Sequence, residues 1–279
     1  MTIRETCRAA AARLRSAGVP DPEIDSSALM ERITGMSALM CRLSDQQLSE
    51  AQEAAFEALL CRRMTREPLQ YILGEQSFCG RLFQVDERVL IPRPETELLA
   101  ERAAEALRRF PAPARALDLC CGSGCLGITL ALEVLGAQVM LADLSPVALE
   151  VSRRNADRLH ADVTLRQGDL WAAVQAEKFH LIVSNPPYIP DEECLTLQEE
   201  VRQEPSMALK GGADGLDFYR RIAQGLKRHL LPGGRLLLEV GDGQAAAVQA
   251  LLKAEGADSC CHRDYQQKLR MVEAWLDAE

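Results

Sequence analysis

Residues 116–127 read Ala116-Leu117-Asp118-Leu119-Cys120-Cys121-Gly122-Ser123-Gly124-Cys125-Leu126-Gly127. A short apolar run gives way to a Gly-x-Gly-x-x-Gly turn and then to a stretch of helical character. The reading is strand, tight turn, helix, with unpaired backbone N–H groups gathered at the strand's carboxyl end. Gly122 and Gly124 permit the turn and a close backbone approach to a ligand. Outward from this turn, apolar runs at 139–144, 163–166, 180–184 and 235–240 alternate with helical stretches. That alternation predicts a parallel sheet covered on both faces, an α/β doubly wound, Rossmann-like domain over 94–279. Segments 260–265 and 270–276 are the candidate final strands.

Upstream, residues 1–75 read as helices with clear punctuation, forming a small all-helical domain. Thr2 and Glu5 make a capping-box pattern, Gly18 and Pro20 stop the first helix, and Asp21-Pro22-Glu23 caps a second that ends at Gly35. Ser44 and Gln47 are read as opening a third, longer helix, with Phe56, Leu59, Leu60 and Met64 on one face and arginines before Pro68. Between 76 and 93 the period falls to two: Phe78 to Phe83 and Val85 to Ile91 read as short strands of a β-hairpin linker around a Gly turn. A helix follows from Pro94 to about Arg109.

Composition excludes several classes. The 279 residues are 47% hydrophobic, and no apolar run is long enough to cross a bilayer. The first eighteen residues are charged and amphipathic, without an apolar signal core, so the expectation is a soluble cytoplasmic protein. Lys plus Arg is 32 against 41 acids, a net charge of -9 with only five lysines, which argues against gripping nucleic-acid phosphates. The ten cysteines are scattered or in doublets with no C-x-x-C, and read as reduced. The Cys260-Cys261-His262 run fits no zinc spacing, and no metal is expected.

The chemistry is carried by three places. Asp143 ends the second strand of the domain, where a carboxylate can accept both ribose hydroxyls of an adenosine cofactor. Asp118 either balances a cationic cofactor or anchors the Gly turn through backbone bonds. Asn185-Pro186-Pro187-Tyr188 follows the strand 180–184, at the same crevice as the Gly turn. In that place it resembles the signature of S-adenosylmethionine-dependent methyltransferases that act on a planar nitrogen. Such a nitrogen is a poor nucleophile, because its lone pair is delocalised. The Asn185 side-chain oxygen and the Pro186 carbonyl can accept its two N–H bonds, the prolines stiffen the backbone, and Tyr188 can lie against the flat group.

Over nearly its whole length the chain resembles the protein-(glutamine-N5) methyltransferases that modify peptide chain release factors. The resemblance rests on Pro68-Leu69-Gln70-Tyr71-Ile72-Leu73-Gly74, on Ile91-Pro92-Arg93-Pro94-Glu95-Thr96-Glu97, on Val183 to Tyr188, and on Glu204-Pro205 to Ala208-Leu209 with Gly211-Gly212-Ala213-Asp214-Gly215. It implies a helical domain that docks class I release factors, a hairpin linker, and a seven-stranded catalytic domain. That domain would use S-adenosyl-L-methionine, leaving S-adenosyl-L-homocysteine, to methylate the glutamine of the factor's Gly-Gly-Gln motif. Carried over by position, the cofactor turn is Cys120, Cys121, Gly122, Ser123 and Gly124, the ribose carboxylate is Asp143, and Asp169-Leu170 meets adenine. Asn185, Pro186, Pro187 and Tyr188 would hold the glutamine amide, with Asn185, Pro186 and Tyr188 serving the chemistry and Asn185 also bordering the cofactor. The family usually has Gly and Thr where this chain has Cys120 and Cys121. A positive φ at Cys120 would strain the loop, so none is expected. Trp171 is either an adenine lid or a packing residue.

N6-adenine methylation of DNA or RNA uses the same four residues but conflicts with the acidic charge. A nicotinamide dehydrogenase leaves Asn185 to Tyr188 unexplained and lacks a His or Lys in the crevice, and a non-catalytic adaptor has no need of Asn185.

Overall fold

The computed structural model describes residues 1–276, so the last three residues of the expected catalytic domain lie outside the described residues. The chain forms two compact units, one of residues 1–75 with 198–203, the other of 76–197 with 204 onward.

The helical unit contains α1 (Ile3–Ser16), α2 (Pro22–Thr34), α3 (Ala38–Leu43), α4 (Glu50–Met64) and α5 (Leu69–Leu73). Leu14, Leu29, Met30, Phe56 and Leu60 are buried at its centre. The capping box at Thr2 and Glu5 is present, and α2 starts at Pro22, although the Asp21 side chain makes no cap bond. The third helix departs from expectation. Ser44 ends the short α3, and the capping box of the long helix α4 is made by Ser49 and Gln52. The stretch between them is extended because its carbonyls serve α1: Ile3 N–H donates to Gln46 O at 2.7 Å and Arg4 N–H to Ser44 O at 3.1 Å. These bonds satisfy N–H groups that a helix start leaves without partners.

The second segment of this unit, 198–203, is held by charge. Arg63, itself buried, donates to Asp25 Oδ2 at 2.7 Å and to Glu200 Oε1 at 2.8 Å, and Arg66 donates to both Glu200 oxygens at 2.7 and 2.6 Å. Burial works against ionisation of Glu200, but the Arg66 and Arg63 guanidiniums outweigh it and hold the carboxyl at about 2.

The second unit begins with a hairpin, β1 (Glu75–Phe78) and β2 (Arg81–Gln84), turning at Cys79-Gly80. The expected strand over 85–91 is instead a loop. Asp86 Oδ1 accepts the Arg88 N–H at 3.1 Å and Asp86 O accepts the Val89 N–H, a local turn that displaces ladder bonding, while Val85, Val89 and Ile91 are still buried. There follow α6 (Pro94–Leu107), β3 (Arg115–Leu119), α7 (Cys125–Glu133), β4 (Gln138–Asp143), α8 (Pro146–Leu159), β5 (Val163–Gln167) and β6 (Phe179–Ser184). The chain ends with α9 (Asp217–His229), β7 (Leu230–Glu239), α10 (Ala245–Ala254), β8 (Asp258–Arg263) and β9 (Leu269–Trp275).

Among the described residues the main sheet has seven strands in the order β5-β4-β3-β6-β7-β9-β8. The first five are parallel, and β9 is antiparallel to both β7 and β8. Successive side chains of β6 serve opposite faces: Leu181 and Val183 join one core with Leu99, Leu107 and Ile128, and Ile182 joins the other with Tyr219, Ile222 and Leu226. The chain winds from β3 outward to β5 and then returns to place β6 beside β3, so the strand order reverses there and opens a crevice at the carboxyl ends.

Replacing Glu200 with Ala leaves the buried Arg63 with Asp25 alone and the part-buried Arg66 with Glu199 alone, and the lost charge-assisted bonds should destabilise the helical unit by about 2 kcal/mol, read by urea denaturation. Because Glu200 falls from its ordinary 4.5 to about 2 on folding, its contribution is complete above pH 4.5 and fades as pH drops toward 2. The difference between wild type and variant should shrink over that window.

Candidate functional site

Register alone collects the site. Leu119 on β3 is paired with Ala142 on β4 and with Ser184 on β6, and Ser184 is paired with Leu238 on β7. The next residues along these strands are Cys120, Asp143, Asn185 and Glu239. Cys120, Asp143, Asn185 and Glu239 therefore stand at one level, at the carboxyl ends of their strands.

On the β3–β4 side the turn is tied down from several directions. Gly122 N–H donates to Asp143 Oδ2 at 2.9 Å, Ser145 N–H to Asp143 Oδ1 at 2.8 Å, and Ser152 Oγ–H to Gly122 O at 2.7 Å. Burial pushes the Asp143 carboxyl up, and the backbone N–H groups of Ser145 and Gly122 oppose that. Each oxygen uses one lone pair in these bonds and keeps another for an incoming hydroxyl. Gly124, at φ +80°, caps α7 in the left-handed region, which a residue with a Cβ would adopt only under strain.

Cys120 corrects the expectation stated for it, since its φ is +59°, in the left-handed region. The backbone is over-determined there: the following Cys121 N–H donates to Ala142 O at 3.1 Å, and Cys121 O accepts the Gly124 N–H at 2.8 Å. The Cβ is carried at a conformational cost, which explains why glycine suits this position. Burial, with Asp143 and Asp118 nearby, drives the Cys120 thiol far above its ordinary range, so it is neutral and a poor nucleophile.

Asp118 is fully buried below the turn. Its Oδ2 accepts the Gly127 N–H at 2.8 Å, its Oδ1 has no partner, and burial raises the carboxyl to about 8. Through Gly127 it anchors the start of α7, and it is not among the residues that line the cavity.

Asn185 to Tyr188 is an irregular stretch braced from beneath. Gln244 Nε2 donates to Tyr188 O at 2.8 Å, Ile189 N–H to Leu209 O at 2.9 Å, and Gly211 N–H to Ile189 O at 2.8 Å. A Cβ on Gly215 would collide with Tyr188 O, so the glycines of 211–215 are spacers that let this loop close on the motif. Burial raises the Tyr188 phenol to about 12, which keeps it neutral. Asn185 Nδ2 donates to Thr96 Oγ1 at 3.3 Å, and Thr96 donates to Glu239 Oε2 at 2.6 Å.

The cavity has a volume of about 310 Å³ and brings together Cys120, Cys121, Gly122, Ser123, Asp143, Asp169, Leu170, Asn185 and Pro187. Pro186 and Tyr188 lie outside its lining, as does Trp171, which stacks on His229 at 4.5 Å and donates to Arg221 O. Asp169 is paired with Arg221 at 2.7 Å, and Leu170, buried, has φ +50°. Thr96, Met207, Lys210 and Phe218 also line the cavity and had no role in the sequence reading. Thr96 lies inside the string Ile91 to Glu97, but nothing in one dimension ties it to Asn185. The donor set fits an adenosine-bearing cofactor: a carboxylate with two free lone pairs beside a Gly turn, in a cavity of ligand size. Among the described residues Cys260, His262 and Glu273 have ligand atoms within 4.8 Å of one another, but they lie on β8 and β9, none lines the cavity, and Arg235 already engages Glu273.

Residues 5–74 match the family described as PrmC N-terminal domain, and residues 95–213 match methyltransferase small domain. A release factor glutamine methyltransferase of Geobacter sulfurreducens is 43% identical over 261 residues, 93% of this chain and 91% of that protein. One from Cereibacter sphaeroides is 43% identical over 285 residues, covering all of both chains. A methyltransferase crystal structure from Pyrococcus furiosus shares the fold at 18% identity, with a TM-score of 0.55 over 72% of this chain and 92% of that one.

Cys120→Gly should relax the left-handed position and stabilise the catalytic unit by about 1 kcal/mol, seen as a higher Tm in thermal denaturation. An unchanged or lowered Tm would mean that thiol packing outweighs the backbone cost.

Proposed function

Since the chain belongs to the release factor glutamine methyltransferases, we propose how its own residues perform the methylation of the glutamine side-chain amide (N5) in a release factor's Gly-Gly-Gln motif. Bound S-adenosyl-L-methionine supplies the electrophilic methyl group and leaves as S-adenosyl-L-homocysteine. Asp143 accepts the cofactor's ribose hydroxyls through its remaining lone pairs, the Cys120 to Gly124 turn gives its backbone a close approach, and Asp169-Leu170 borders the adenine. The observation that carries the reading is the placement of Asn185 and Asp143 on one register line around one cavity.

Asn185 Oδ1 and the Pro186 carbonyl accept the two amide N–H bonds, which orients the nitrogen lone pair and costs no proton transfer before the methyl moves. The nitrogen becomes strongly acidic once methylated, so no strong base is needed. Pro187 stiffens the backbone and Tyr188, neutral by its burial, offers a flat surface to the amide. The substrates are class I release factors, docked with the help of residues 1–75. The acidic balance of -9 favours a protein substrate over adenine in nucleic acid. No helix among the described residues is long and apolar enough to cross a membrane, and the site of action is the cytoplasm, where release factors work.

Methyl-labelled cofactor, pure enzyme and a recombinant release factor should yield label on the Gly-Gly-Gln glutamine, located by peptide mass spectrometry. Label that survives replacement of that glutamine would overturn the reading. Asn185→Ala should cut kcat by about a hundredfold or more while cofactor affinity in calorimetry holds. Asp143→Ala should weaken cofactor binding by about ten- to a hundredfold, the worth of lost charge-assisted hydrogen bonds.

A further inference from the structure

Asn185 can accept substrate N–H bonds only if its amide presents oxygen, not nitrogen, to the cavity. The two ends of an asparagine amide are nearly the same size, so packing alone does not choose between them. The choice is made by the chain Asn185, Thr96, Glu239. Thr96 and Glu239 are both buried, and neither contacts solvent enough for water to replace the bonds they make.

Glu239 Oε2 lies 2.6 Å from Thr96 Oγ1. An ionised carboxylate has no proton to give, so the Thr96 hydroxyl must donate to it, and the lone pairs of Oγ1 are left facing Asn185. A group that offers only lone pairs binds the Nδ2–H end of the amide, here at 3.3 Å, and thereby turns Oδ1 away from Thr96. We propose that Thr96 and Glu239 are positioning residues for the methyl transfer: through one hydroxyl they set which end of the Asn185 amide meets the substrate. The inference rests on the reading of Asn185 as the acceptor for the glutamine amide.

The chain is polarised, so its sense depends on the charge of Glu239. Protonated, Glu239 can itself donate to Thr96, freeing the hydroxyl proton to point at Asn185, where it repels Nδ2–H and attracts Oδ1. The amide then offers a donor to a substrate that also has donors. Burial raises the Glu239 carboxyl to about 7, with Thr96 opposing. The groups around it are Glu95 at the start of α6, Arg93 before it, Arg270 on β9, Tyr188, and Tyr219 on α9, whose hydroxyl donates to Glu239 O at 2.9 Å. Both phenols are pushed up by burial, the Tyr219 group well above its ordinary value, so neither titrates near neutrality.

The test uses the full-length enzyme with cofactor and a release factor. Thr96→Val keeps the shape and removes the lone pairs. It should lower kcat by about ten- to a hundredfold, with KM for the release factor and cofactor affinity by calorimetry held within about twofold. Thr96→Ser restores the hydroxyl and should recover most of kcat. Wild-type kcat should rise with pH through about 7 as Glu239 ionises, and Glu239→Gln should flatten that limb. Unchanged kcat in Thr96→Val, a Ser variant as slow as the Val variant with near-UV circular dichroism intact, or an unaltered acid limb in Glu239→Gln would each overturn the proposal. Absence of glutamine methylation by the wild-type enzyme would instead overturn the reading of Asn185.

Discussion

The parallel register of β3, β4, β6 and β7 is the constraint on which the site depends. Inside the sheet the backbone groups are committed to neighbouring strands, and the central strands pack mostly apolar, buried side chains on both faces. Polar groups that must meet a ligand belong at the carboxyl ends of the strands, where the crevice opens. Because Leu119, Ala142, Ser184 and Leu238 are in register, the residues that follow them, Cys120, Asp143, Asn185 and Glu239, stand at one level at the carboxyl ends of the strands. A one-residue slip of β6 would carry Asn185 out of line with Asp143 and turn the apolar side chains of that strand to the wrong faces.

The strings by which the family is recognised lie around this line rather than on it. Ile91 N–H donates to Glu204 Oε2 at 3.0 Å, and Arg93 pairs with the other oxygen of the same buried carboxylate. One string thus grips another, and the loop that follows Glu204 lies against the Asn185 to Tyr188 backbone through Leu209 and Gly211. What recurs in such motifs is a frame: residues that fix the path of the backbone so that a few side chains hold their geometry without adjustment at the moment of reaction.

This explains what could be read in one dimension and what could not. The strands, the Gly turn and Asn185 were legible because each is a local pattern, an apolar run ending in glycine or proline. The helix α3 and the true start of α4 were not, since 44–47 stays extended to serve the N–H groups of α1, a demand set by the fold. The strand assigned to 85–91 failed for the opposite reason, a local Asp86 turn overriding a period-two pattern. The left-handed φ of Cys120 is not legible in its side chain, because the hydrogen bonds of the residues that follow it set the backbone there. Thr96 and Glu239 are far apart in sequence, and only the closed fold puts a hydrogen bond between them.

The helical unit is discontinuous: its arginines come from α4 and the residues just after it, and the carboxylate that neutralises them comes from segment 198–203. A ribosome makes protein in one direction, so Arg63 and Arg66 emerge well before Glu200. At about 5–20 residues per second the wait is on the order of ten seconds. During that interval the nascent helices carry guanidiniums that lack their Glu200 counter-ion, and the lock closes only after β3 to β6 and Asn185 have been synthesised. The N-terminal part of the chain is thus completed by a piece made late, and a product truncated before Glu200 keeps the Arg63 pair with Asp25 but lacks the carboxylate that joins Arg63 to Arg66, which weakens its fold and exposes it to proteolysis.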